Sequence, residues 1–138
     1  MRKRSWDTAE VRFFKLAHEE VIRSLRRYAE EAVAKGAKAV ILIGSLARGD
    51  YTAFSDADVI IISDDVPANP VERTVGFMDS TLPVEVEPRV YTAGEFLKMA
   101  EDGSRIVKEA VACGKLLAGS GDVIERASEL LASQSREE

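Results

Sequence analysis

The sequence predicts an α/β (α+β) fold, a small β-sheet packed against helices. Three observations lead there. Two short apolar runs, "KAVILI" at 38–43 and "ADVIIIS" at 57–63, are unbroken by charge except at their edges and read as buried strands. A third segment, "LPVEVEPRVYT" at 82–92, alternates apolar and charged residues as a half-buried strand does. The stretches around them carry apolar residues at helical spacing, and helices interleaved with a few strands make a layered α/β or α+β domain. With 138 residues and 46% apolar content, the chain can bury one core without covalent staples.

The first element is a long amphipathic helix over about 7–35. Val11, Phe14, Val21, Leu25, Tyr28 and Ala32 share one face. Asp7 or Thr8 caps its start and Gly36 its end. Arg12, Lys15, Arg23, Arg26 and Arg27 are interleaved with Glu19, Glu20, Glu30 and Glu31, which reads as a solvated face with paired charges. His18, the only histidine, falls on the apolar side and reads as a packed or half-buried ring. Trp6 and Phe13 read as core or interface aromatics.

After the second strand, Asn69 and Pro70 open a short helix, with proline at its first position. In the third strand Val84, Val86 and Val90 point one way and Glu85, Glu87 and Arg89 the other, and Pro88 places it at a sheet edge or a bulge. Helices follow at about 93–102 and 104–113, the latter with Cys113 as a core or near-core thiol. "KLLAG" is a short extended piece or turn. A last helix over about 121–132 fades into the polar tail "SQSREE". The expected organisation is a single domain over 1–138. Its core spans about 38–118, preceded by the N-terminal helix and followed by a C-terminal helix and tail over 120–138.

Composition narrows the function classes. A net charge of −5 argues against a general nucleic-acid coat, though not against a local basic face. One cysteine permits no internal disulfide and fits a reducing, cytoplasmic setting. No apolar stretch approaches the roughly 20 residues of a membrane span, and "MRKRSWDTAE" has no apolar core behind its basic tip, so no secretory signal is expected.

The stretch "GSLARGDYTAFSDADVIII" at 44–62 carries the chemistry. Asp56 and Asp58 are two apart at the mouth of a buried strand, so they project to one side. Two carboxylates that close repel unless a cation sits between them, and an octahedral shell of carboxylate and phosphate oxygens suits magnesium. One or two such ions can be bridged by the pair. Gly44 lets the backbone approach a ligand, turn N–H groups attract anions, and Ser45 adds a hydroxyl donor. Arg48 is placed either to meet a phosphate or to lie exposed in the loop, and Gly49 turns the chain back. Anion donors at one strand end and carboxylates at the next describe a site for a nucleoside triphosphate with magnesium. Gly-Lys-Ser/Thr is missing, so this is not a Walker A loop. Glu85 and Glu87 share a face of the third strand, and either could complete the set.

Gly44-Ser45, ten intervening residues, then Asp56-x-Asp58 resembles the signature of the nucleotidyltransferase superfamily related to DNA polymerase beta, in particular its minimal nucleotidyltransferases. "PVEVEPRVYT" with the following "GEF" is similar to the third-strand region of that group, and the resemblance covers about 38–118. It implies a nucleotidyltransferase fold with a small mixed sheet. It also implies transfer of a nucleoside monophosphate, AMP from ATP by the family's habit, to a hydroxyl with release of pyrophosphate. On this resemblance Gly44 and Ser45 match the phosphate turn, Asp56 and Asp58 the metal pair, and Glu87, ahead of Glu85, the third acid, where the family often has aspartate. Chains this short resemble the antitoxin half of pairs with a helical HEPN-type toxin, on which AMP is placed at a tyrosine. The alternatives are a non-catalytic antitoxin or regulatory subunit, or transfer to RNA or a small molecule with a second subunit. A valine-rich third strand and an apolar C-terminal segment could support a homodimer.

Overall fold

A computed structural model describes residues 8–51 and 56–137, with side chains over 18–51 and 56–134. Trp6 and Asp7, and the side chains of Thr8, Val11, Arg12, Phe13, Phe14 and Lys15, lie outside these ranges. The elements run α1 (Thr8–Ala34), β1 (Ala39–Ile43), α2 (Ser45–Arg48), β2 (Ala57–Ile62), α3 (Pro70–Val75), β3 (Val86–Tyr91), α4 (Ala93–Glu101), α5 (Arg105–Cys113), β4 (Lys115–Gly119) and α6 (Asp122–Glu137).

The strands form one mixed sheet in the order β3-β2-β1-β4. β1 is antiparallel to both β2 and β4, and β2 is parallel to β3. All five residues of β1 are buried, because the strand is central and both faces are covered. On one face Val40, Leu42, Val59 and Ile61 pack with Leu25, Tyr28, Ala29 and Ala32 of α1. On the other Ile41, Ile43, Ile60 and Ile62 pack with Phe96 of α4, Val107 and Ala110 of α5, and Ala127 of α6. A strand apolar on both sides loses the period-two pattern, which explains the unbroken runs.

Local chemistry ends the elements. α1 stops in a Schellman turn, in which Gly36 N–H donates to Val33 O and Ala37 N–H to Ala32 O, with Gly36 at φ 115°. The Asn69 side chain accepts from the Val71 and Glu72 N–H groups at the start of α3. Thr92 and Glu95 form a reciprocal capping box on α4. Arg73 of α3 grips Glu95 through two guanidinium nitrogens at 2.6 and 3.3 Å and also donates to Val90 O, so α3, β3 and α4 are tied at one point.

The structure departs from the sequence reading in four places. β3 begins at Val86 rather than 82; Val84 still packs on the core from a bent segment after Pro83. Pro88 does sit in an edge strand, where one side has no ladder partner and a missing N–H is harmless. Of the two readings of "KLLAG", the extended one holds: it is β4, the other edge. α6 continues to Glu137, since no glycine or proline interrupts "ASQSRE". Cys113 is exposed: after Val107 and Ala110, the next core-facing position is Gly114, where a β-carbon would lie 2.8 Å from Ile41. The charges on the described part of α1 are solvated but make no ion pairs with one another there. His18 is half-buried as expected, its ring stacked on Tyr51 at 4.4 Å.

Candidate active site

The site is built where β1 ends and β2 begins. Ile43 lies opposite Asp58 in the β1–β2 ladder, so the chain leaves β1 at Gly44 directly beside that carboxylate. Gly44 has φ 79° and ψ −162°, a backbone region nearly reserved to glycine. A β-carbon there would stand 2.8 Å from Asp58 Oδ2, so the residue must also be glycine for want of space. Ser45 opens the four-residue helix α2, which closes on Gly49 in the left-handed region. Leu46 and Ala47 are buried and fasten the turn to the core.

Register supplies the partner strand. In the parallel β2–β3 ladder Asp58 is opposite Glu87, on the sheet face that carries Ile43, Ile60 and Ile62. The Asp58 carboxyl is held above its ordinary range, first by burial, then by hydrogen bonding and charge from Glu87, with Asp56 adding repulsion. Only Arg89 pulls the other way. Glu85 also lies near the front of β3, exposed, but takes no part in this pairing; its main-chain carbonyl accepts the Ala57 N–H at 2.8 Å. A cavity of about 510 Å³ opens beside both glutamates, lined also by Met78, Asp79, Leu82 and Val84.

Of the acids singled out by sequence, Asp58 and Glu87 are paired across the β2–β3 ladder, and Asp56 acts on Asp58 through its charge. Among the described residues no three acids are already gathered as a closed ligand set. The donor chemistry nonetheless fits a hard divalent cation: all oxygen, of one sign, and raised in energy by mutual repulsion that such an ion would relieve.

Arg48 is engaged in a way neither sequence reading included. Its Nη1 donates to Glu109 Oε2 of α5 at 2.8 Å, and its Nε lies 3.4 Å from Asp50 Oδ2. The Gly44 N–H donates to the same Glu109 oxygen at 2.8 Å. Sequence reasoning missed Glu109, because it lies 65 residues from Gly44 in an ordinary amphipathic helix.

The sequence profile of the nucleotidyltransferase domain matches residues 22–114. The chain belongs to the nucleotidyltransferase domain family. The matched span of this nucleotidyltransferase includes the turn, all four candidate acids, Arg48 and Glu109. A comparison with curated proteins gives no significant match. Among solved structures, a toxin–antitoxin complex with AMP-PNP is similar at a TM-score of 0.53 and 20% identity, covering 87% of this chain and 88% of that one. Another is the tri-AMPylated HEPN toxin of Shewanella oneidensis in complex with MNT antitoxin, at a TM-score of 0.52 and 15% identity over 87% of each chain. At such identities the likeness is one of fold, and it agrees with the four-stranded mixed sheet and helices of this nucleotidyltransferase. No helix among the described residues is long and apolar enough to cross a membrane.

Proposed function

We propose that this nucleotidyltransferase moves AMP from ATP onto a hydroxyl of a partner protein. The observation that carries the reading is the Asp58–Glu87 pair placed against Gly44, which puts repelling acids beside a turn suited to phosphate. Asp56, Asp58 and Glu87 would hold Mg²⁺, with Glu85 in reserve at the strand's entrance. Bound magnesium supplies positive charge to the triphosphate and to the leaving pyrophosphate.

The remaining work falls to the chain. Gly44 and Ser45 seat the phosphate tail, and the fixed turn holds the α-phosphorus in place for attack. The acceptor oxygen bonds to the α-phosphorus, the bond from that phosphorus to the bridging oxygen breaks, and pyrophosphate departs. The acceptor's proton passes to the Glu87 carboxylate. A HEPN-type helical protein is the favoured acceptor. Support comes from two proteins of like fold, one with AMP-PNP and one bound to an AMPylated HEPN toxin.

The test is incubation with labelled ATP, Mg²⁺ and the helical protein that co-purifies with the chain. Label on that protein with wild type, and none with Asp58→Asn, is the expected result. Absence of label on any co-purifying partner rejects transfer. Neutralisation of a toxin that survives Asp58→Asn unchanged assigns the chain to contact-only inhibition instead.

A further inference from the structure

We infer that Glu109 is a positioning residue that presets the phosphate turn and Arg48 for the triphosphate. The inference rests on the reading of Gly44–Ser45 as the seat of that group. One oxygen, Glu109 Oε2, accepts from the Gly44 N–H and from Arg48 Nη1, each at 2.8 Å. These two donors belong to the N-cap and the last residue of α2. Inside the turn, Arg48 N–H donates to Gly44 O at 3.0 Å. The turn is therefore closed from within by its backbone and from outside by a carboxylate of another helix.

That carboxylate comes from a fixed support. α5 is set into the core through Val107 and Ala110, and Gly114 at its end packs against Ile41 of β1. Glu109 thus ties the turn to the same strand from which the turn emerges. The side chains of Glu109 and Arg48 are 29% and 41% exposed, so the contact lies at the rim of the site rather than in the core.

The consequence for binding is preorganisation. An arginine loses rotamer freedom when it grips a phosphate, and one already anchored has lost it beforehand. A guanidinium has five donors. Glu109 engages Nη1, Asp50 lies by Nε, and Nη2 has no partner among the described residues. Glu109 also cancels part of the Arg48 charge when no nucleotide is present.

The experiment measures Kd for ATP and for AMP, each with Mg²⁺, by titration calorimetry on the full chain. Wild type, Glu109→Ala, Glu109→Gln, Arg48→Ala and the double variant are compared, with melting curves for each. We expect Glu109→Ala to weaken ATP about tenfold, the scale of one charge-assisted hydrogen bond, and to leave AMP unchanged. Glu109→Gln, whose amide oxygen still accepts both donors, stays within about threefold of wild type. The double variant binds ATP no more weakly than Arg48→Ala, because the two residues act as one unit. A residue that only supported the fold would lower the melting temperature and shift ATP and AMP alike. Should Glu109→Ala not fold, Glu109→Asp, too short to reach both donors, carries the same expectation. ATP bound by the folded variant as tightly as by wild type, or more tightly, overturns the inference alone. A wild type without preference for ATP over AMP overturns the reading of the turn, and this inference with it.

Discussion

Gly44 and Asp58 are packed so closely that the first has no room for a side chain: a β-carbon at 44 would lie 2.8 Å from the second's Oδ2. Gly44→Ala must shift the carboxylate and also adopt a backbone region that costs other residues on the order of 1–3 kcal/mol. Denaturant titration should show a stability loss of that order. ATP affinity should fall by more than about tenfold, a larger effect than the stability loss alone explains.

The two glutamates of β3 should separate cleanly. Glu87 is the one opposite Asp58, whereas Glu85 contributes its backbone to the ladder. Glu87→Gln is expected to lower AMP transfer by about a hundredfold, and Glu85→Gln by less than about threefold. Rates at saturating ATP and Mg²⁺ decide it, and equal losses would mean that both acids serve.

Asp58→Asn should stabilise the protein when no divalent ion is present. The carboxylate is pushed up by burial and by Glu87 and Asp56, so its charge is a burden on the folded state. A higher melting temperature in EDTA, together with lost transfer, is the expected pair of results. An unchanged or lower melting temperature would show that the repulsion is already relieved.

Arg73 should matter for stability and not for chemistry. Its side chain is 11% exposed, and it joins Pro67 O, Val90 O and Glu95. Arg73→Ala removes the shared partner of α3, β3 and α4 and should cost about 1.5–3 kcal/mol. Urea unfolding measures that loss, while ATP affinity should be unaltered in the folded fraction.

Acid should weaken the fold through three surface carboxylates. Asp64 is held low by Lys38 and the Ala93 N–H, Asp79 by Thr81, and Glu95 by Arg73 and the Thr92 N–H. Each binds its proton less readily when folded than when unfolded. Their contribution is therefore present above the unfolded range near about pH 4 and disappears as pH falls through the lower folded values. Exposure and salt screening keep it small. The melting temperature should drop below about pH 4, and Asp64→Asn with Glu95→Gln should flatten that drop.

What the sequence disclosed and what it hid follow from the range of the forces. The runs 39–43 and 57–62 were legible because strands covered on both faces must be apolar throughout. Asp56 and Asp58 were legible because charge at the mouth of such a run demands a reason. The start of β3 was hidden because Val84 continues the alternation into a segment that does not pair. β4 was hidden because pairing with β1, not composition, makes it a strand. Which of Glu85 and Glu87 lies opposite Asp58 needed the β2–β3 register, and the Glu109 contact with Gly44 needed the packing of α5 on β1. Neither fact is written in any local window.

The parallel pairing of β2 with β3 has an outcome in time as well as in space. A shift of one residue would turn Glu87 towards the α1 side of the sheet and leave Asp58 facing an apolar neighbour. The acid pair is thus created by the closing of a non-local ladder, which helices formed early cannot provide. On the proposed function, handling of nucleotide therefore waits on completion of the sheet, so competence itself reports that assembly has succeeded.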